Sequence, residues 1–96
     1  MNFFDILISK YNNNEIIVSR SGYTGEDGFE LSIPNESAEN LITHLLKNEN
    51  TMLCGLGSRD SLRLEAGLSL YGHELNENIT PIEAGLSWAL DKERLE

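Results

Sequence analysis

The chain has 96 residues, 40% of them hydrophobic and 24% charged, and a formal net charge of −9 at pH 7. A chain of this size buries only about 60–68% of its unfolded surface, so one domain with a single core is expected. The negative charge argues against a nucleic-acid or anionic-membrane surface, and no apolar run approaches the roughly 18 residues that span a bilayer.

The start of the sequence predicts a β-hairpin. Residues 3–9 are rich in Phe, Ile and Leu and predict a first strand, and residues 15–20 predict a second. Between them, residues 11–14 (Tyr-Asn-Asn-Asn) supply turn residues that tolerate a left-handed backbone.

A third strand is predicted after a glycine-rich segment. Phe29, Leu31 and Ile33 alternate with Glu30 and Ser32. Because side chains alternate across a strand, this period of two places three apolar residues on one face and Glu30 on the other.

An amphipathic helix is predicted from the N-cap candidate Asn35 to about Lys47. Pro34 ends the preceding strand, and Glu36 suits the first turn of a helix. The helical spacing comes from five apolar residues, Ala38, Leu41, Ile42, Leu45 and Leu46.

Residues 52–56 predict a short buried strand, which would make Cys54 a buried and inert thiol. As the only cysteine, Cys54 cannot form an internal disulfide, which suits a reducing compartment. Ser58 is then the predicted cap of a second helix that ends at Gly67.

The last part of the chain predicts a short helix and a final strand. Thr80, Pro81 and Glu83 form a capping-box pattern for a helix that ends near Gly85, and residues 86–90 predict the strand. Residues 95–96 are interpreted as a cloning scar and are left out of the fold prediction. The expected fold is α+β: one domain over residues 1–96, with a mainly antiparallel sheet packed against two or three helices.

Two blocks combine glycines with charged and aromatic residues in an order that core packing does not require. They are residues 22–30, Gly-Tyr-Thr-Gly-Glu-Asp-Gly-Phe-Glu, and residues 59–72, Arg-Asp-Ser-Leu-Arg-Leu-Glu-Ala-Gly-Leu-Ser-Leu-Tyr-Gly. Together they resemble the folate-binding region of the aminomethyltransferase, or T-protein, of the glycine cleavage system. The similarity runs from about residue 16 to residue 92.

The resemblance implies a part of an enzyme that transfers a methylene group from aminomethyl-lipoyl H-protein to tetrahydrofolate and releases ammonia. Tetrahydrofolate and the lipoylated H-protein are therefore the implied substrate and partner. T-proteins are longer than this chain and carry their catalytic aspartate in an N-terminal part that it lacks. An internal piece without activity of its own is therefore expected. The implied location is the bacterial cytoplasm or the mitochondrial matrix.

The resemblance also implies that Glu30 and Arg59 bind the folate. A carboxylate suits the adjacent N–H donors of a pterin ring, because its two oxygens accept both. From the residues alone, the favoured interpretation of Glu30 is a solvated strand residue, and that of Arg59 is a surface salt bridge with Asp60, Glu65 or Glu26.

Tyr23 and Tyr71 are the aromatic candidates for the same folate site. An aromatic face against a pterin contributes about 0.5–1.5 kcal/mol beyond area burial. Ordinary core packing is the alternative for Tyr23, and Tyr71 is the weaker candidate of the two. Arg63 is expected to support the fold through Glu65 or another neighbouring carboxylate.

No metal site is predicted. His44 and His73 lack partners at metal spacing, and Glu26-Asp27-Gly28 lacks the other ligands of a calcium loop, so a turn is expected there. A folate-binding or regulatory module without aminomethyl transfer is the competing function, and a purely structural domain is a third. An excised piece can also expose surface that its neighbours would cover, which allows self-association.

Overall fold

The computed structural model describes residues 1–94, so the expected cloning scar lies outside the described residues. Three strands precede two α-helices, and two short 3₁₀ helices follow. In chain order these elements are β1 Ile6–Tyr11, β2 Asn14–Ser19, β3 Glu30–Ser32, α1 Asn35–Leu45, α2 Leu56–Glu65, and the 3₁₀ turns Ser87–Ala89 and Lys92–Arg94. The α+β class and the antiparallel sheet are confirmed.

The N-terminal hairpin is formed as the sequence predicts. β1 and β2 pair antiparallel in a register that sets Ile8 opposite Ile17 and Tyr11 opposite Asn14. The connection is a two-residue turn in which Asn12 and Asn13 have φ values of 45° and 66°. Left-handed conformations at both central residues match the twist of the flanking strands, which explains the pair of asparagines.

The third strand joins the free edge of β2, which gives the order β1-β2-β3. Leu31 lies opposite Val18, and Glu30 lies opposite Ser19. Directly opposite residues share a face of the sheet, so Leu31 and Glu30 lie on different faces, as the alternation predicts. Ile16, two residues before Val18, is buried on the Leu31 face.

Helix α1 lies beside the turn end of the hairpin. The hydroxyl of Tyr11 donates to Asn40 Oδ1 at 2.7 Å, and the Asn14 side-chain amide donates to Ser37 Oγ at 2.8 Å. Leu41 is buried, as the apolar spacing predicts. The N-cap position is Pro34 rather than Asn35, and the helix ends at Leu45, about two residues before the predicted end.

The predicted strand at residues 52–56 is wrong. Residues 51–55 form no regular element, and α2 already begins at Leu56, with Gly55 rather than Ser58 at its N-cap. Met52 and Leu53 are exposed, so no sheet covers this apolar run. Cys54 is exposed as well, which contradicts the prediction of a buried thiol.

Helix α2 ends in a Schellman motif at Gly67, the predicted stop. Gly67 has a φ of 73°, its N–H donates to the Leu64 carbonyl at 3.0 Å, and the Leu68 N–H donates to the Arg63 carbonyl at 2.9 Å. This pattern satisfies carbonyls that the helix end would leave unpaired, and glycine adopts the left-handed conformation without a Cβ penalty.

The C-terminal part differs from the prediction. The reciprocal Thr80–Glu83 capping contacts are formed, with the Thr80 N–H donating to Glu83 Oε2 at 2.8 Å, but the segment makes only turns, not the predicted helix. The predicted strand at residues 86–90 is wrong, because Ser87–Ala89 is a 3₁₀ helix. Among the described residues, no helix is long and apolar enough to cross a membrane.

Candidate functional site

The two sequence blocks meet at Tyr23 and Arg59. Tyr23 follows β2, and its hydroxyl donates a hydrogen bond to the carbonyl of Ser69, beyond the end of α2. Arg59, in the first turns of α2, places its guanidinium carbon 6.0 Å from the centroid of the Tyr23 ring. This distance is the outer limit of a cation–π contact. Two residues that lie 36 positions apart in the sequence therefore share one wall of a site.

A cavity of about 400 Å³ opens at this contact. One face of α2 supplies much of its lining, because positions 56, 59, 60 and 63 have the spacing i, i+3, i+4, i+7. The volume falls within the range of small-molecule pockets. The complete lining consists of Tyr23, Leu56, Gly57, Arg59, Asp60, Arg63, Leu70 and His73.

Arg59 is the cation of the site that remains available for a ligand. In the part of the chain that the structure describes, it forms none of the ion pairs expected as the alternative, with Asp60, Glu65 or Glu26. Asp60 instead accepts from Arg63, with its Oδ1 at 2.7 Å from Arg63 Nη2. An unpaired guanidinium beside an aromatic ring suits a ligand that is both flat and anionic.

Arg63 stabilises the two segments that line the cavity. Its side chain is only 3% exposed, and its Nη1 donates to Glu74 Oε2 at 2.6 Å and to the Leu68 carbonyl at 3.0 Å. The prediction that Arg63 supports the fold through a carboxylate is confirmed, with Asp60 and Glu74 as partners in place of Glu65. These bonds tie α2 to the loop that supplies the far wall of the cavity.

Hydrogen bonds from Leu70 and Arg63 favour the ionised form of Glu74. The N–H of Leu70 donates to its carboxylate at 3.1 Å and, with the Arg63 guanidinium, holds the pKa of Glu74 below its ordinary value. The pKa of Arg63 is raised, chiefly by its hydrogen bond to Asp60. Both groups are therefore charged at neutral pH, and the bond between them is charge-assisted.

Glu30 lies apart from this cavity. Its side chain is exposed, accepts a hydrogen bond from Ser21 Oγ at 2.6 Å, and is not among the lining residues. It forms no ion pair with Arg59. The folate-binding role of Glu30 stays a prediction, and the geometry joins Tyr23 and Arg59 without it.

Tyr71 is also outside the cavity lining. It is 68% exposed and takes part in an isolated bridge to Leu75. His73, which was not predicted as a site residue, lines the cavity. Leu56, Gly57 and Leu70 were not predicted. If α2 had been predicted to begin at Leu56, the helical spacing would have placed Leu56 on the same face as Arg59.

The turn expected at Glu26-Asp27-Gly28 is not formed: residues 23–26 make a bend, residues 27–28 are irregular, and an ion pair holds the segment. Arg20 donates from Nε and Nη2 to the two carboxylate oxygens of Asp27, each at 2.9 Å. The guanidinium holds the pKa of Asp27 below its ordinary value. This bidentate pair fixes the loop that carries Tyr23 toward α2.

The family model of the GCVT N-terminal domain matches residues 1–94. The chain belongs to this family. It is 53% identical to the mitochondrial aminomethyltransferase of Flaveria anomala over 96 residues, which covers 98% of this chain and 24% of that protein. It is 58% identical to the mitochondrial aminomethyltransferase of Saccharomyces cerevisiae over 77 residues, 80% of this chain and 19% of that protein.

A crystal structure of glycine cleavage system aminomethyltransferase T from Bartonella henselae has the same fold over the matched part of this GCVT-family chain. The TM-score is 0.74 at 49% identity, with 81% of this chain and 22% of that chain covered. The chain thus spans about a quarter of the length of the relatives that it matches.

Proposed function

We propose that this chain is the tetrahydrofolate-binding portion of an aminomethyltransferase of the glycine cleavage system. The reaction of the whole protein would be methylene transfer from aminomethyl-lipoyl H-protein to tetrahydrofolate with release of ammonia. Relatives at more than 50% identity carry the name aminomethyltransferase, which supports the reaction. These relatives are named as mitochondrial proteins, which supports a location in the mitochondrial matrix if the protein is eukaryotic. In a bacterium the protein would be located in the cytoplasm.

The contact between Tyr23 and Arg59 is the observation that carries the folate proposal. Tetrahydrofolate carries flat rings and carboxylates, so an aromatic surface and a cation both favour its binding. Tyr23 offers the ring and Arg59 the unpaired guanidinium, on a cavity of small-molecule size. The chain has a net charge of −9 and repels an anionic ligand, so the binding of such a ligand needs a cation at the site.

The folate, when bound, carries the one-carbon unit. The residues of this chain would then act by orientation and electrostatics rather than by covalent chemistry. Through its bonds to the Leu68 carbonyl and the Glu74 carboxylate, Arg63 would hold α2 against the following loop, so that the Arg59 guanidinium stays near the Tyr23 ring. The transfer itself is assigned to the complete protein, not to these residues alone.

Titration of the 96-residue chain with tetrahydrofolate under reducing conditions tests the site, with calorimetry as the readout. We expect saturable binding that Arg59→Gln weakens at least about tenfold, because a charge-assisted contact is lost. Lys47→Gln is the matched control, since it removes the same charge from an exposed residue outside the cavity. Equal affinities of the two variants would rule out Arg59 as a ligand.

Glu30→Gln separates the two parts of the site. Loss of affinity would support the predicted contact of Glu30 with the pterin, and unchanged affinity would leave Tyr23 and Arg59 as the binding surface. In the complete protein, ammonia release from aminomethyl-lipoyl H-protein should require tetrahydrofolate. Folate binding without ammonia release would instead identify a folate-binding module.

A further inference from the structure

The cavity contains a second charged group that the proposed function does not use, the carboxylate of Asp60. Asp60 follows Arg59 on α2, and both residues line the cavity together with Tyr23. The side chain of Asp60 is 47% exposed, so a ligand can reach its carboxylate. One short stretch of helix therefore presents a cation and an anion to the same space.

Arg63 uses only one oxygen of this carboxylate. Its Nε donates to Asp60 Oδ1 at 2.8 Å, and its Nη2 lies 2.7 Å from that same oxygen. Within residues 1–94, the other oxygen, Asp60 Oδ2, accepts no hydrogen bond. Because both oxygens of an ionised carboxylate are acceptors, Oδ2 keeps its full capacity for a ligand.

Arg63 also holds the carboxylate in a fixed orientation. Its side chain is only 3% exposed, and its guanidinium is held in turn by Glu74 and the Leu68 carbonyl. An acceptor that is already oriented loses little conformational entropy when a ligand binds, so its hydrogen bond contributes more to affinity. The positive charge of Arg63 also offsets the repulsion between Asp60 and the carboxylates of an anionic ligand.

We propose that Asp60 Oδ2 accepts a hydrogen bond from a ring N–H group of the ligand, which makes Asp60 a specificity-determining residue of the cavity. The inference rests on the proposed function, because the pterin ring of tetrahydrofolate presents adjacent N–H donors. Arg59 selects for the negative charge of the ligand, and Asp60 selects for the N–H edge. A flat anion without such donors leaves Oδ2 desolvated and without a partner, which lowers its affinity.

Asp60 differs from Glu30 in its position. Glu30 lies outside the cavity lining, whereas Asp60 lies within it and next to Arg59. The contact proposed for Asp60 therefore does not depend on the contact predicted for Glu30, and each carboxylate has its own substitution as a test.

Asp60→Asn tests the acceptor with little change of shape. The amide keeps one carbonyl oxygen for Arg63 and places an NH₂ donor at the position of Oδ2. We expect the affinity for tetrahydrofolate, measured by calorimetry under reducing conditions, to fall at least about tenfold. A purely electrostatic effect has the opposite sign, because the loss of a negative charge favours an anionic ligand.

Glu65→Gln is the matched control for the change in charge. It removes one negative charge from an exposed residue of the same helix that does not line the cavity. Its affinity for tetrahydrofolate should stay within about twofold of the wild type. Equal affinities of Asp60→Asn and Glu65→Gln would overturn the proposal.

p-Aminobenzoylglutamate is the second probe, because it has an aromatic ring and the glutamate carboxylates of the folate but lacks the pterin. Asp60→Asn should weaken its binding by less than about twofold, whereas Arg59→Gln should weaken its binding and that of tetrahydrofolate alike. NMR titration measures these weaker affinities. Equal weakening of both ligands by Asp60→Asn would show that the substitution only loosens the cavity, and would overturn the proposal.

The same titrations separate this inference from the proposed function. Tetrahydrofolate binding that responds to Arg59→Gln but not to Asp60→Asn would overturn the role of Asp60 and leave the folate site in place. A wild-type chain without saturable tetrahydrofolate binding would overturn both.

Discussion

Gly25 and Ala66 bring the backbones of the two sequence blocks close together. A Cβ built on Gly25 would lie 2.5 Å from the Ala66 Cβ, which is shorter than real carbon contacts. Gly25 also has a φ of 78°, a conformation that side-chain-bearing residues rarely adopt. The glycine therefore lets the loop after β2 touch the C-terminal end of α2, and this contact brings Tyr23 over the cavity.

Gly25→Ala should lower the free energy of unfolding by at least about 2 kcal/mol. About 1–2 kcal/mol comes from the left-handed backbone, and the clash with Ala66 adds an overpacking cost. Urea denaturation followed by circular dichroism measures the change.

Two further glycines separate the causes. Gly67 has a positive φ, but a Cβ added there would meet no atom within 4 Å. Gly22 has no positive φ, and a Cβ added there would also meet no atom within 4 Å. The order of destabilisation should be Gly25, then Gly67, then Gly22. Equal losses at Gly25 and Gly67 would show that the contact with Ala66 costs nothing.

Arg63→Ala should destabilise the chain far more than Arg20→Ala. Both arginines bind an aspartate, but Arg63 is 3% exposed and joins Asp60, Glu74 and a backbone carbonyl, whereas the Arg20 side chain is 34% exposed. Thermal unfolding should show a Tm lower by roughly 10 °C or more for Arg63→Ala.

Arg20→Ala should lower the Tm by less than about 5 °C, because exposed ion pairs contribute little. Each variant removes one guanidinium and breaks one aspartate pair, so the comparison isolates burial and the extra partners of Arg63. A larger loss for Arg20→Ala would contradict the supporting role of Arg63.

The fold was predicted where the signal is local. Asn12 and Asn13 suit a tight turn with left-handed residues, and the apolar spacing that includes Leu41 predicts α1. The apolar run at residues 52–56 forms a strand only if another strand pairs with it, and residues 1–94 supply none. Ser58 is a better capping residue than Gly55 by side-chain chemistry, so the start of α2 was placed too late.

The candidate site was predicted only in part, because its geometry depends on contacts between distant segments. Tyr23 and Arg59 meet through the close approach of Gly25 to Ala66, which local periodicity does not encode. The alternation correctly predicts the face of β3 on which Glu30 lies, but it does not give the distance between Glu30 and α2. The wall formed by Leu70 and His73 depends on the Arg63–Glu74 pair in the same way.

The thiol of Cys54 should react in the folded chain. It is exposed in an irregular segment, so a disulfide reagent needs no unfolding to reach it. We expect the native reaction rate with such a reagent to lie within about a factor of three of the rate in denaturant. Strong protection in the native state would mean that the apolar run at residues 52–56 is covered in solution, for example by a second copy.

The stability of the chain should fall in acid, partly through Glu74. The Leu70 N–H and the Arg63 guanidinium lower the pKa of Glu74 in the folded chain from its ordinary value of 4.5. The unfolded chain therefore binds more protons between the two values, so the contribution is complete above about pH 5 and is lost as the pH falls through the folded pKa. Urea denaturation at pH steps from about 6 to 3 measures this loss.

Glu74→Gln should flatten that pH profile without abolishing its slope, because the pKa of Asp27 is also lowered, by Arg20. Above about pH 5 the variant should be less stable than the wild type, and the difference should shrink as the pH drops, because the wild-type carboxylate becomes protonated. The exposed Glu77 supplies the control substitution Glu77→Gln, which should keep the wild-type slope. A Glu74→Gln profile parallel to that of the wild type would show that the bonds from Leu70 and Arg63 do not favour the ionised carboxylate.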